Sequence, residues 1–220
     1  MKKYLLIFLI LIFVSGVEAQ EFKIIVGPII SNYSNMWPSG IIDADSNFAK
    51  DFKTGLLGGF GIEFTLNKNI AFELDGLYFQ KGITFVKRTL PSYTRKEIYN
   101  LNGFNFPLFV RIKPFPGPSL YILGGVELSM ILSHARINLS NRGGGLIFWK
   151  VSSEDLIDAT KKVDFGPVFG LGFEIKVSRA LFFLEGRYSI GLRNLLHQYY
   201  DYYSVKIKIR DLVIIVGFKI

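Results

Sequence analysis

The chain has 220 residues with a formal net charge of +8; half of its residues are hydrophobic, and it contains no cysteine. The length suits one domain, the apolar content excludes a disordered chain, and the absence of cysteine excludes disulfide bonds and a lipid-bearing cysteine. The longest uncharged run after the N-terminal segment, 24–42, has 19 residues, but it contains two prolines and several Asn and Ser residues and is not a continuous apolar stretch. A membrane-spanning helix needs about 20, so a helical membrane protein is not expected.

The first 19 residues have the pattern of a processing signal. Lys2 and Lys3 precede an apolar run over 4–14, and the segment ends in Val17-Glu18-Ala19, a small-residue cleavage site. The predicted domains are therefore a signal peptide, 1–19, and one folded domain, 20–220. The mature chain keeps a charge of +7, and an exported basic chain meets anionic lipid head groups or polymers rather than nucleic acid.

Alternation with a period of two residues then predicts strands along the chain. The first covers 22–31 and is followed by an aperiodic loop, 32–53. The second and third, 54–65 and 70–80, form a hairpin around the short link 66–69. Residues 81–97 are rich in Lys and Arg and contain one proline, so a basic loop is expected there.

The fourth and fifth strands are predicted at 98–113 and 119–130, separated by a proline-rich link, 114–118, that cannot continue a ladder. The longest connection, 131–162, follows. It contains three successive glycines at 143–145 and the pattern of a capped helical turn near Ser153.

The clearest alternation lies in 163–193, where two strands meet at the short link 177–179. One face of each strand is wholly apolar, and the other carries charge and glycine. A tyrosine-rich loop, 194–204, leads to the last strand, which ends at Ile220. Its apolar residues lie at even positions from Leu212 onward but at odd positions upstream, which predicts a bulge near Arg210 and Asp211.

Counted in this way there are eight strands, several of ten or more residues, joined by alternately long and short connections. Membrane barrels have strands of about 9–11 residues, short turns at one end and long loops at the other. The sequence therefore predicts an all-β fold: an eight-stranded antiparallel up-and-down transmembrane β-barrel with apolar faces toward lipid and polar faces toward the lumen.

Two segments also resemble the PorT-like outer-membrane β-barrel families of Gram-negative bacteria. Residues 102–108 are similar to a family strand ending in an aromatic or aliphatic residue, proline and leucine, although Asn105 stands where the family often has glutamate. Residues 164–174 are similar to its pattern of aspartate, three spaced glycines and glutamate. The resemblance covers nearly all of the mature chain and implies location and fold rather than a defined activity.

The polar faces of the predicted strands carry charges of both signs. An eight-stranded barrel is just wide enough for side chains to fill it, and unpaired charges there are costly. We therefore expect a lumen network, with a narrow water or ion path as the alternative. Its predicted members are Glu63, Glu73, Asp75, Arg111, Glu127, Glu174, Glu185 and Arg187.

Four basic residues in the predicted 81–97 loop are candidates for contact with lipopolysaccharide phosphates through charge-assisted hydrogen bonds; solvated loop charge is the alternative. They are Lys87, Arg88, Arg95 and Lys96. The expected partners are outer-membrane lipid and lipopolysaccharide, together with a protein partner at the extracellular loops. The chain is expected to be a monomer.

A Ser/His/acid set is one enzymatic pattern to consider, because such sets serve acyl transfer; paired carboxylates, as in glycoside hydrolysis, recur here about once per strand and are explained by the barrel pattern. Ser129, Ser133 and His134 with Glu127 supply part of one, but Glu127 and Ser129 are predicted to face the lumen. No cluster has metal-ligand spacing, and no glycine-rich stretch lies between a strand and a helix, as a phosphate loop would require. No enzyme activity, cofactor or metal is therefore expected.

The expected function is a structural or surface-interaction role in the outer membrane. Two alternatives stay open: a narrow porin or secretion-system accessory barrel, and a barrel enzyme that modifies lipid A or phospholipid.

Overall fold

Nine antiparallel strands make up almost all of the part of the chain described by the computed structural model, which covers 19–34, 48–90, 93–114, 120–142, 149–178, 180–195 and 208–220. The strands are β1 (Ala19–Ser34), β2 (Phe48–Thr65), β3 (Ile70–Leu90), β4 (Tyr93–Ile112), β5 (Leu120–Arg142), β6 (Trp149–Asp155), β7 (Val163–Val177), β8 (Ala180–Ile190) and β9 (Lys208–Lys219). A single 3₁₀ turn, Ile157–Ala159, precedes β7. No helix in these ranges is long and apolar enough to cross a membrane.

Eight of the strands close into a barrel, which confirms the predicted fold. Each pairs with its neighbour along the chain, except that β5 pairs with β7, and β1 closes the ring on β9. The remaining strand, β6, pairs with the upper part of β5. The end that carries residues 19 and 220 and the short turns is called the lower end here, and the opposite end the upper end.

The side chains around the barrel are arranged opposite to those of a water-soluble protein. Large apolar residues point outward along all eight strands: Phe60 is 70% exposed and Leu171 67%. Charged residues fill the interior, where Glu73 is 0% exposed and Arg187 4%. An exposed apolar band around a polar interior is typical of a barrel that crosses a lipid bilayer.

Three strands extend farthest beyond the length that a bilayer requires. β3, β4 and β5 have 21, 20 and 23 residues, against about 9–11 for a crossing. Their upper parts continue as a sheet above the apolar band, with β2 on one side and β6 on the other. Three predicted connections were therefore wrong in part: 32–53 contains the end of β1 and the start of β2, 81–97 is mostly strand rather than a loop, and 131–162 contains the end of β5, β6 and a 3₁₀ turn.

The predicted bulge in the last strand is absent from the described residues. The pairing of β9 with β8 runs without a shift from Lys219 to Arg210. Ile209 has the same inward parity as Val213 and Ile215, and all three are buried. The bulge was predicted because apolar residues were assumed to face lipid. The lumen itself becomes apolar toward its upper end, so isoleucines that point inward cannot be told from outward ones in the sequence.

Other predictions fall largely outside the described residues. Of the predicted signal peptide, 1–19, the structure describes only Ala19, the first residue of β1. The tyrosine-rich loop from 196 onward and the three glycines at 143–145 also lie outside these ranges.

Candidate functional site

The lower part of the lumen contains a four-residue ion cluster. Arg111 of β4 contacts Glu63 at 2.5 Å and also contacts Glu174. Lys219 of β9 bridges the same two carboxylates, at 2.5 Å from Glu174. The Arg111 guanidinium lies 3.7 Å from the centre of the Tyr121 ring. Two buried cations therefore balance two buried carboxylates, and residues from β2, β4, β7 and β9 are joined across the barrel. At the lower edge, Lys113 lies 3.0 Å from Glu174 and Glu21 lies 3.6 Å from Lys219.

The middle of the lumen is organised by Arg187 of β8. Its guanidinium contacts three carboxylates, at 2.6 Å from Asp75, 2.7 Å from Glu73 and 2.5 Å from Glu185. Lys23 of β1 adds a second cation, 2.6 Å from Glu73 and 3.2 Å from Glu185. The five side chains are at most 4% exposed. Removing one member of such a network leaves a buried charge without its partner, which is strongly destabilising.

A third cluster lies above the second. Lys81 and Ser31 each bond Asp211 at 2.5 Å. Glu127 and Asp164 line the same small cavity, together with hydroxyl groups of two serines. Its volume is about 10 Å³, which is room for about one water molecule.

Apolar side chains close the lumen above this cavity. Ile29, Phe79, Ile83 and Leu101 are 0% exposed, and Tyr33 from β1 joins the same cluster. In the described part of the chain the interior is thus filled by paired charges below and by apolar packing above. This arrangement matches a filled eight-stranded barrel rather than an aqueous channel.

The four basic residues predicted to contact lipopolysaccharide lie on the β3–β4 hairpin instead of a loop. Lys87 pairs with Arg95, Arg88 with Thr94, and Lys96 with Val86. Residues directly opposite in an antiparallel pair share a face, and faces alternate along each strand. Lys87 and Arg95 therefore occupy positions on the lumen side of the hairpin, as Phe85 does. Arg88 and Lys96 occupy positions on the lipid side, as Tyr78 and Phe104 do.

His134 lies in β5, not in a loop as predicted, and its partner is not a serine. Its Nδ1 lies 2.7 Å from Oγ1 of Thr160, whose hydroxyl donates to the carbonyl of Leu156. Because the threonine has one hydroxyl hydrogen, it must accept from His134, which places the imidazole proton on Nδ1. Ser133 accepts a hydrogen bond from Asn102, and Ser129 donates to Glu127 at 3.4 Å. The Ser/His/acid set considered from the sequence is not assembled.

A family model for the outer membrane protein β-barrel domain matches residues 19–197. The chain belongs to this family. The outer membrane is therefore its location, as predicted. In such barrels the short turns face the periplasm and the longer connections face outward, so the lower end of this barrel is periplasmic and the sheet above the apolar band is extracellular.

Several solved outer-membrane proteins are similar in structure. Ail, the attachment invasion locus protein of Yersinia pestis, solved with the heparin analogue sucrose octasulfate, is 13% identical with a TM-score of 0.41, over 91% of this chain and 99% of that one. Neisserial surface protein A is 10% identical (TM-score 0.44; 93% and 98% covered), and OprG from Pseudomonas aeruginosa is 15% identical (0.40; 93% and 96%). No curated protein matches the chain.

The structure brings all eight predicted network residues to the lumen and adds cations that sequence reasoning missed. Lys23, Lys81 and Lys219 each contact a buried carboxylate. Lys23 could have been found, because it lies in the lumen-facing register of its strand. Lys219 could also have been found, because the apolar positions from Leu212 to Ile220 place it on the opposite, lumen-facing side. Lys81 was assigned to a loop.

The burial of His134 leads us to expect that the stability of the extracellular sheet of this outer-membrane barrel depends on pH. The residue follows Leu132, the last exposed apolar residue of β5, and is 1% exposed. Burial lowers the pKa of His134 to about 4, although Asp155 acts in the opposite direction. Its Nε2 has no hydrogen-bond partner, so a proton there would be buried unpaired.

We expect the stability due to neutral His134 to be complete above pH 6.5, the ordinary pKa of histidine, and to be lost as the pH falls from 6.5 toward 4. Between pH 7.5 and pH 5 the loss is about 2 kcal/mol. Hydrogen exchange of the amides in 156–162, corrected for the intrinsic pH dependence, measures it. His134→Gln, which cannot titrate, is expected to flatten the profile; an equally steep profile would contradict the assignment.

Proposed function

We propose that this outer-membrane barrel acts at the cell surface through its extracellular sheet and neither conducts solute nor catalyses a reaction. The carrying observation is that β3, β4 and β5 continue well above the apolar band while the lumen beneath them is filled. Strand length beyond the membrane serves no purpose in crossing it, and long connections that a rigid scaffold positions are where binding function concentrates. The PorT-like character suggested by 102–108 and 164–174 is part of this proposal.

The filled lumen supports a role without transport. Solute would have to displace the Arg187 and Arg111 clusters and then pass Phe79, Ile83 and Leu101. Breaking buried ion pairs costs several kcal/mol. Reconstituted into planar bilayers, the protein is expected to give no single-channel steps; stable steps would favour the porin alternative.

The proposed ligand is an anionic glycolipid, which binds on the lipid side of the extracellular sheet. Lys96 is half-buried in that register, and Arg88 lies on the neighbouring strand in the same register. Positions at this height lie above the hydrocarbon layer, within reach of the phosphorylated sugars of lipopolysaccharide, and charge-assisted bonds to phosphate are strong. The barrel is proposed to work as a monomer toward this ligand.

A matched pair of double variants tests the ligand. Arg88→Ser with Lys96→Ser is expected to weaken binding of purified lipopolysaccharide in detergent about tenfold, measured by calorimetry at low salt. Lys87→Ser with Arg95→Ser removes the same charge from the opposite register of the same hairpin and is expected to leave binding unchanged. Equal effects of the two would show that net charge, and not this face, is responsible.

A further inference from the structure

The extracellular sheet ends in an unpaired strand. Among the described residues, β6 pairs with β5 and with nothing else. Residues 150–155 are all exposed, on both faces of the sheet. The strand is therefore accessible along its outer edge.

An open edge of this kind is a template for another strand. In the described part of the chain its outward N–H and C=O groups have no strand partner, and natural proteins usually blunt such edges with charged side chains, proline, a bulge or a very short strand. β6 has seven residues, no proline and an unbroken pairing register with β5. Strand addition at a free edge is a common mode of protein recognition.

The charges along β6 are arranged to match a second copy of the same strand. Lys150 and Glu154 lie two residues to either side of Ser152. When two copies run antiparallel about Ser152, each Lys150 faces the other copy's Glu154, and Val151 faces Ser153. Opposite charges directly across a pair are stabilising, and like charges are destabilising. We infer that β6 is the docking edge for β6 of a second copy of this chain.

Glu154 can serve this contact without giving up its present partner. Its Oε2 pairs with Arg136 on β5, and its side chain remains 48% exposed. A carboxylate has about four acceptor positions. The intramolecular pair uses Oε2, which leaves Oε1 for Lys150 of the second copy.

The symmetry of the pairing determines where the second copy lies. Two identical antiparallel strands are related by a two-fold axis normal to the sheet, and the sheet stands upright on the membrane. The axis thus lies parallel to the membrane, and the second copy is inverted, as a copy in a facing membrane is. Ser152 pairs with Asn138, six residues above Leu132, so the two apolar bands would lie about 30 Å apart.

This inference deepens the proposed function, because it rests on the extracellular sheet being an interaction surface. The test uses proteoliposomes free of lipopolysaccharide, whose aggregation reports contacts between facing membranes. Wild type is expected to aggregate, and Lys150→Glu alone and Glu154→Lys alone are each expected to aggregate on the order of tenfold more slowly, since each puts two like-charged pairs across the contact.

Mixing the two variants is the decisive measurement. A Lys150→Glu copy facing a Glu154→Lys copy restores both opposite-charge pairs, so the mixture is expected to aggregate at the wild-type rate. A folding defect in either variant would not be repaired by mixing. Failure of the mixture to recover, or absence of aggregation in wild type, would overturn the inference.

The chain contains no cysteine, so a single introduced cysteine reports the two-fold axis directly. Ser152→Cys is expected to form a disulfide-linked dimer under copper–phenanthroline oxidation. Ser153→Cys is the control, because the two Cα atoms would be about 8 Å apart across the axis, too distant for a disulfide.

Lipopolysaccharide binding by the Arg88 and Lys96 pair is measured on the same proteins. If this binding survives while dimers fail to form, the surface-interaction proposal stands and the self-pairing does not.

Discussion

Arg187→Ala is expected to destabilise the barrel by about 3–5 kcal/mol, because it removes one partner from a buried charge network. The guanidinium contacts Asp75, Glu73 and Glu185 inside the lumen. Without it, three carboxylates would be left with Lys23 as the nearest cation. Urea titration of the protein in lipid vesicles, followed by tryptophan fluorescence, measures the loss. The temperature at which the folded form disappears on an SDS gel is expected to fall in parallel.

Two further variants show whether the network or the charge itself is responsible. Arg210→Ala removes an exposed arginine from β9 and is expected to change stability by no more than about 0.5 kcal/mol. Arg187→Lys keeps the charge but loses the planar fork that contacts three carboxylates at once, so an intermediate loss is expected. If Arg187→Ala were as stable as Arg210→Ala, the carboxylates would have to be held by other means.

The membrane-crossing part of the fold could be predicted because a lipid-exposed face and a charged lumen force strict alternation. In 163–177 each outward position from Phe165 to Ile175 is apolar or proline, and the structure has β7 there. Above the membrane this constraint ends. Thr84, Phe85 and Val86 follow one another in β3 without a polar face, because the lumen at that height is apolar. The sequence pattern consequently stopped at residue 80 while the strand continues to Leu90.

The members of the lumen network could be predicted from their parity, but their pairs could not. Arg187 and Asp75 are 112 residues apart and lie on strands that are not neighbours. Which side chains meet across the barrel depends on the stagger of the strands on closure, which no local pattern encodes. The same reason explains β6: its pairing with β5 depends on how far β5 rises above the membrane, and its polar, exposed residues resemble a loop.

Leu171→Arg is expected to cost about 2–4 kcal/mol, although the residue it replaces lies on the outside of the protein. Leu171 is 67% exposed and lies midway between Phe165 and Val177, the upper and lower exposed apolar residues of β7. At that position the guanidinium would be near the middle of the hydrocarbon layer. In a water-soluble barrel an exposed substitution of this kind usually changes stability by no more than about 0.5 kcal/mol.

Val177→Arg is the matched control, because Val177 lies on the same strand and the same face, six residues lower, and is 53% exposed. An arginine there would reach the periplasmic interface, where the cost falls to about 0–1 kcal/mol. The two variants place the same arginine on the same face at different depths and each remove one exposed aliphatic side chain, so unfolding both in vesicles of the same lipid reports the effect of the bilayer. A cost that was equal at the two positions would mean that acyl chains do not surround β7, and the orientation of every strand in the barrel would have to be reversed.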